Sequence, residues 1–461
     1  MQNTFQARIT PRSRHRAPTR RLLFFAALAL VALGAPRDAA ALRCSIEEQL
    51  DPCFGQNPVC PSVPGSPGPA ASEWPVFQHD QQHTGRTGKI GPSCSNELWT
   101  RKLKGPMYAA PSIGLPPPSG GTDGVVYIGS FKYPICALNP ANGNPYWCDT
   151  PDTGKLPDHS SPAVGNDGLL YVGTRDNDLW AIGSNPAVST ASVAWRQKVC
   201  TDGDVSTPPN IADDGTVYAG SDSLSAGTIL AMCPGTSGQI RWCINPVGGG
   251  IKTESPALDL AQDTVYFTLN GIELRAFDAK VGTPKWAARV ENTRNGARLW
   301  NFTPVVNPST GRIYLGFDEG LWAVDPPVAP GGNPTWQLLF NTQERNREVM
   351  ASPAAIDLAN DRIYIGSSNR NRGNLYAIDF AGNLKWTASL GRTTMRNTPP
   401  VVDGAGNVYV AAGRDLVSWT KDGVERWRKF DASGFTSSPV IGNGRLYVGN
   451  RNGKIYAIGG C

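Results

Sequence analysis

Short apolar runs recur along this chain, each centred on a tyrosine and bounded by turn residues. They read VVYIG at 125–129, LLYVG at 169–173, TVYAG at 216–220, TVYFT at 264–268, RIYLG at 312–316, RIYIG at 362–366, NVYVA at 407–411 and RLYVG at 445–449. Each is four or five residues long and rich in β-branched and aromatic types. NDG, DDG, STG and AGN turns precede several of them, which predicts short strands joined by tight hairpins and no long helix.

A larger unit surrounds each tyrosine. Before it stands a proline-containing stretch, with Pro111, Pro162, Pro208, Pro256, Pro304, Pro353, Pro399 and Pro439 in the eight copies. After it comes a third run of the LYAI type, then a fourth with a tryptophan: Trp99, Trp147, Trp195, Trp242, Trp286, Trp336, Trp386 and Trp427, spaced 41 to 50 apart. Four strands per unit at a period near 45 predict an all-β, eight-bladed β-propeller of four-stranded antiparallel blades, because one such sheet cannot bury both faces alone and a ring of them can. The eighth unit reaches Cys461 before any tryptophan, whereas Trp99 precedes the first proline strand. The strand around Trp99 is therefore expected to complete the last blade and close the ring.

The cysteines bear on this closure. Cys94 lies five residues before Trp99 and Cys461 five after Tyr456, both at the expected third-to-fourth turn, so they are expected to pair. Cys136 and Cys148 flank one hairpin in near-opposite positions and are paired as well. Cys233 and Cys243 flank another, about four residues out of register, so that either can instead take Cys200. The partners of Cys44, Cys53 and Cys60 are not readable from spacing.

Composition places the chain outside the cytoplasm. Six arginines between Arg8 and Arg21 precede the fourteen-residue apolar run 22–35 and the small residues Ala39–Ala41, the layout of an export signal over 1–41. Fourteen residues are short for a membrane span. Ten cysteines, an even number and all after this segment, fit disulfides in an oxidising compartment, periplasmic or extracellular. Residues 1–41 hold seven arginines and one aspartate, so without them the formal charge falls from +5 to −1 and gives no argument for nucleic acid. Residues 42–73 form a Cys/Pro-rich segment and linker, 74–98 a lead-in, and 99–461 the propeller.

The tandem [ST]-P, V-Y-[IV]-G and A-x-D-x-x-x-G-x-x-x-W pattern resembles the pyrroloquinoline-quinone-like (PQQ-like) propeller repeat family. The lead-in WPVFQHDQQHTGRT (74–87) is similar to the W-P-x-F-x-x-D-x-x-H-T-G opening of its exported bacterial members. The resemblance covers about 74–461. It implies two kinds of function: quinoprotein dehydrogenases of alcohols or sugars, and cofactor-free scaffolds of the outer-membrane assembly machinery.

Family dehydrogenases of the alcohol-oxidising type use adjacent cysteines, a calcium site and an aspartate base, and no two cysteines are adjacent here. Asp202, Asp204 and Glu254 approach the inner strands of units three and four and could supply calcium oxygens, but read more simply as solvated loop acids. His79, Asp80 and His83 have metal-compatible spacing, yet lie before the blades and read as packing or hydrogen-bonding residues. The repeated tryptophans and tyrosines read as inter-blade packing. A more distinctive feature is arginine in the loops of one propeller face: Arg294, Arg298, Arg345, Arg347, Arg370, Arg372 and Arg396, joined by Arg392, Arg414 and Arg451. The matching loops of units one to three carry Asp152, Asp158, Asp176, Asp202 and Asp204. An arginine sector suits an anionic partner. These features favour a secreted or periplasmic, non-catalytic binding or scaffold module for a protein, an anionic glycan or another envelope component. No cofactor is expected on this reading; the alternative is a quinoprotein dehydrogenase using PQQ with Ca²⁺.

Overall fold

The second run of each unit becomes a fully buried strand because it lies mid-sheet with a neighbouring blade on either side; Val126–Ser130 and Leu169–Gly173 are buried at every position. The outer strands alternate instead between half-buried and exposed, as in Leu384–Ser389, since one face meets the next blade and the rim meets water. In the computed structural model these strands build eight antiparallel sheets. It describes residues 60–61 and 67–461, except 119, 132, 150–159, 176, 188–190, 199–203, 223–226, 245–250, 252–253, 270–272, 290–302, 318–319, 330, 343–348, 369–371 and 392–397. The region expected to be an export signal lies outside them.

Blades 1 to 8 start with inner strands Ser112–Ile113, Ala163–Val164, Asn210–Ile211, Ala257–Asp259, Val305–Val306, Ala355–Asp357, Val401–Val402 and Val440–Gly442. Each then steps outward through three further strands. Blade 6 gains one short extra strand, Val349–Met350, beside Arg362–Ser368. Blade 8 takes its outer strand from the other end of the propeller: Glu97–Lys102 pairs with Lys454–Ile458, and Trp99 faces Ala457. A disulfide between Cys94 and Cys461 spans the adjoining turn. The chain's two ends thus share one sheet, so the ring has no open blade.

A serine or threonine one or two residues before the proline has a backbone role. The hydroxyls of Ser160, Thr207, Ser352 and Ser437 accept hydrogen bonds from the N–H of Gly173, Gly220, Gly366 and Gly449 at 3.0, 2.9, 3.0 and 2.7 Å. In these four blades they tie the approach to the inner strand onto the second strand.

The tryptophans fasten blade to blade. The indole Nε1 of Trp99, Trp195, Trp242 and Trp386 donates to the carbonyls of Pro140, Gly235, Ala279 and Lys421 at 2.8, 2.8, 2.9 and 2.7 Å, each in the third-to-fourth turn of the next blade. Trp427 reaches Pro92, beside the Cys94–Cys461 turn that serves blade 8. The rings press on turn glycines with left-handed φ. A methyl on Gly282 would come within 2.6 Å of Trp242, and one on Gly143 would overlap Trp99.

Blade 5 departs from this scheme. Elsewhere the outer strand bulges just after the tryptophan's partner, as between Ala276 and Phe277 or Ala377 and Ile378. In blade 5 the irregularity lies between Leu321 and Trp322, so Trp336 pairs with Val324, and Gln337 takes the place opposite Ala323. One residue of register turns a side chain to the other face. Trp336 therefore packs with Phe317 and Trp322 towards blade 4, and is not the equivalent of the other tryptophans that its spacing predicts. Leu339 meets Gly382 in its stead, and Phe380 of blade 6 stacks on Tyr314 with ring centres 5.8 Å apart.

Two other disulfides are described. Cys136 bonds Cys148 across their hairpin. Cys233 bonds Cys60, and so takes neither of the partners that spacing offered, Cys243 or Cys200. The reason is register: Cys243 faces Leu230, three residues from Cys233. Cys243 is itself disulfide-bonded.

Candidate functional site

The inner strands of a propeller leave a row of backbone groups facing the central channel. The segment Gly68–Pro92 answers them. The N–H groups of Ile113, Val164, Leu258, Val306, Ile356 and Val402 donate to the carbonyls of Trp74, Pro75, Gln81, Gln82, Thr84 and Gly85, all at 2.8 or 2.9 Å. Blade 3 joins through the Asn210 amide, 2.9 Å from the Gln81 carbonyl, and blade 8 through the Asn443 N–H on the Glu73 carboxylate. One segment thus touches all eight blades and crosses the axis at the end where the first-to-second turns lie. To do so it holds Gln78, His79 and His83 in the left-handed region, at φ 52°, 79° and 60°. Such backbone persists where surrounding contacts determine it.

The histidine motif belongs to this plug. His83 is completely buried; its Nδ1 lies 3.2 Å from the Pro304 carbonyl and its Nε2 3.3 Å from the Asn210 amide nitrogen. Those partners require Nδ1 to donate and Nε2 to accept, so the ring is neutral, and burial lowers its pKa to about 4. Burial works against ionisation of Asp80, yet hydrogen bonds from His79 and Thr84 hold its carboxyl below the usual range. His79 contacts Asp80 at 3.1 Å and stands edge-on to Trp74. Arg86 reaches across to the fully buried Asp357 at 2.9 Å. These contacts account for the motif as packing and hydrogen bonding. Among the described residues no three His, Cys, Asp or Glu side chains converge as a metal-ligand set.

The opposite face holds the loops between second and third strands and the crossings between blades. Arg372, Arg414 and Arg451 stand there, exposed, on blades 6, 7 and 8 in succession. The Asp431 N–H donates to the Arg414 carbonyl at 2.8 Å, and the Arg451 N–H to the Gly434 carbonyl at 2.9 Å, which brings the last two loops together. Between them ends the strand Glu425–Phe430, whose Phe430 is 64% exposed. Charge patterning did not single out this phenylalanine, although a large apolar residue closing the basic run RWRKF is its signal. Arg294, Arg298, Arg345, Arg347, Arg370, Arg392 and Arg396 lie outside the described residues, as do Asp152, Asp158, Asp176 and Asp202.

Of the acidic loops, Asp204 is described; it pairs with Arg175 at 3.4 Å, and Arg175 covers the Phe131 ring. Glu254 is not the solvated loop acid expected, being 3% exposed, because the stretch before Pro256 runs between blades. Among the described residues no calcium ligand set gathers, and Trp74, Gln78 and His83 fill one end of the axis.

The model of a family described as outer membrane protein assembly factor BamB matches residues 134–325 and 305–459. No curated protein matches the chain significantly. Solved structures of similar shape include quinohemoprotein alcohol dehydrogenase from Comamonas testosteroni, with a TM-score of 0.62 and 14% identity over 84% of this chain and 81% of that one. A europium-containing methanol dehydrogenase gives 0.60 and 13% over 82% and 90%. BamB from Moraxella catarrhalis gives 0.52 and 18% over 79% and 97%. At such identities the likeness is one of fold.

Proposed function

Since the chain belongs to the PQQ-like β-propeller repeat family, we propose that it is an exported, non-catalytic scaffold that binds a protein partner on its arginine-bearing loop face. One observation carries this reading. The axis is plugged at one end by the chain's own lead-in, while the other face presents exposed Arg372, Arg414, Arg451 and Phe430 on three adjacent blades. Arginine and aromatic side chains are the types that anchor protein interfaces, and guanidinium forks match carboxylates. Arg294, Arg298, Arg345, Arg347, Arg370 and Arg396 extend the same surface on this proposal. The match to a family described as an assembly factor supports a protein partner over a glycan. The disulfides support an oxidising, extracytoplasmic location.

The dehydrogenase neighbours share the fold, and at 14% and 13% identity a shared fold does not carry their chemistry to this chain. The test is capture from native envelope extract by the full chain and by the Arg372→Glu, Arg414→Glu, Arg451→Glu triple variant. The expected result is a discrete protein partner that the variant loses. Equal capture by both proteins, or dye reduction with alcohols or sugars that depends on added PQQ and Ca²⁺, overturns the proposal.

A further inference from the structure

The outer strand of every blade is a sheet edge, with backbone N–H and C=O groups directed away from the sheet. Soluble proteins guard such edges with charged side chains, because an unguarded one is a template for another strand. Seven of the eight outer strands obey: Arg196, Arg241, Lys285, Lys385 and Arg428 are examples. The strand Thr335–Asn341 of blade 5, TWQLLFN, carries no charge at all. At seven residues it is also the longest, the others having five or six. It is last in its sheet order, paired among the described residues with Gly320–Asp325 alone.

The surroundings of this edge are equally unusual. The register change that turns Trp336 towards blade 4 leaves Thr335 and Gln337 exposed on the other side. Trp336 is half-buried and meets Trp322 at 6.2 Å, and Trp286 joins the same cluster. An indole seam therefore flanks the edge, and the turn before it exposes Val328 completely. A row of backbone donors and acceptors beside an apolar seam matches an extended polypeptide whose side chains alternate.

We propose that the edge Thr335–Leu338 of blade 5 receives an extended, uncharged segment of the partner protein as an added β-strand. Main-chain hydrogen bonds to the edge would hold it, and β-branched or aromatic side chains would cover the tryptophan seam. This rests on the reading of the chain as a protein-binding module, and places a second contact on the rim, apart from the arginine face.

The probe is the blocked heptapeptide acetyl-Ser-Val-Thr-Val-Gln-Val-Ser-amide, added to the full chain. Amide hydrogen exchange over residues 335–338 is expected to slow at least tenfold. A version N-methylated at alternate residues, with the same side chains and fewer donors, is expected to give no slowing. Gln337→Lys, which copies the guard of the other blades at an exposed position, should weaken binding at least tenfold. Thr387→Lys on the outer strand of blade 6 should leave it unchanged. Unslowed amides, equal binding of the methylated peptide, or equal binding by Gln337→Lys overturns the proposal, whatever the arginine variants do in extract. A Gln337→Cys protein that forms a disulfide-linked dimer also overturns it, because a second copy then occupies the edge. Loss of capture in the triple arginine variant bears on the loop face alone.

Discussion

The seam from blade 8 to blade 1 and the seam from blade 5 to blade 6 solve one packing problem in two ways. In both, a buried tyrosine needs an aromatic cover at the blade interface. In blade 8 the cover is Trp99, which meets Tyr447 at 5.9 Å and donates to the Pro140 carbonyl of the next blade. In blade 5 it is Phe380, sent back from blade 6 onto Tyr314, with Leu339 filling the turn. The first device adds a directional bond to apolar burial; the second has burial alone. The directional device recurs at seams where the backbone runs on, through Trp195, Trp242 and Trp386, and at the terminal joint it also ties together two distant segments. At blade 5 the shifted bulge has turned Trp336 the other way.

This contrast can be broken by mutation. The largest effect is expected at the closure itself. Cys94→Ala with Cys461→Ala opens a loop of 367 residues, and chain entropy puts the loss at about 6 kcal/mol, read from chemical denaturation. Trp99→Ala should cost about 4 kcal/mol, by cavity formation and an orphaned Pro140 carbonyl. If neither change opens the ring before the rest unfolds, the terminal seam is not the special one.

Acid probes the plug that lies across both seams. His83 has a folded pKa of about 4 against 6.5 unfolded, so the unfolded chain takes up the proton first as pH falls. The stability this neutral imidazole contributes is fully present above pH 6.5 and is lost progressively down to about pH 4. The loss amounts to about 3 kcal/mol. Denaturation midpoints across that window should flatten in His83→Gln; an unchanged slope would remove His83 as the cause. The smallest effect is expected for Trp336→Ala, about 1 kcal/mol, since the ring is half-buried. A cost equal to that of Trp99→Ala would show that Trp336 fastens blades after all, and the contrast would dissolve.

Much of the fold was legible because its signals are local and repeated. Eight tyrosines, eight proline stretches and the missing eighth tryptophan were enough to expect eight blades and the Trp99 closure. Trp336 shows the limit: its spacing matched its neighbours, but spacing counts residues and not bulges, and one shifted bulge reverses the side chain. The partner of Cys233 was left open between Cys243 and Cys200, and the pairing with Cys60, 173 residues away, lies beyond what local spacing can show. His79 and His83 read correctly as packing and hydrogen-bonding residues, yet nothing in WPVFQHDQQHTGRT announces that its carbonyls would face inner strands from six blades. Phe430 was passed over because the reading followed charge, and the apolar residue that closes the basic run RWRKF lies outside that pattern.

The amino-acid sequence by itself determined the unit, the number of units and the need for the two ends to meet, because strand periodicity, turn chemistry and cysteine spacing act over a few residues. Only the tertiary structure decided which groups share the axis, which tryptophan turns the other way and which sheet edge is left unguarded. Those outcomes depend on register and on contacts between residues far apart in the chain, and such contacts exist only once the ring has closed.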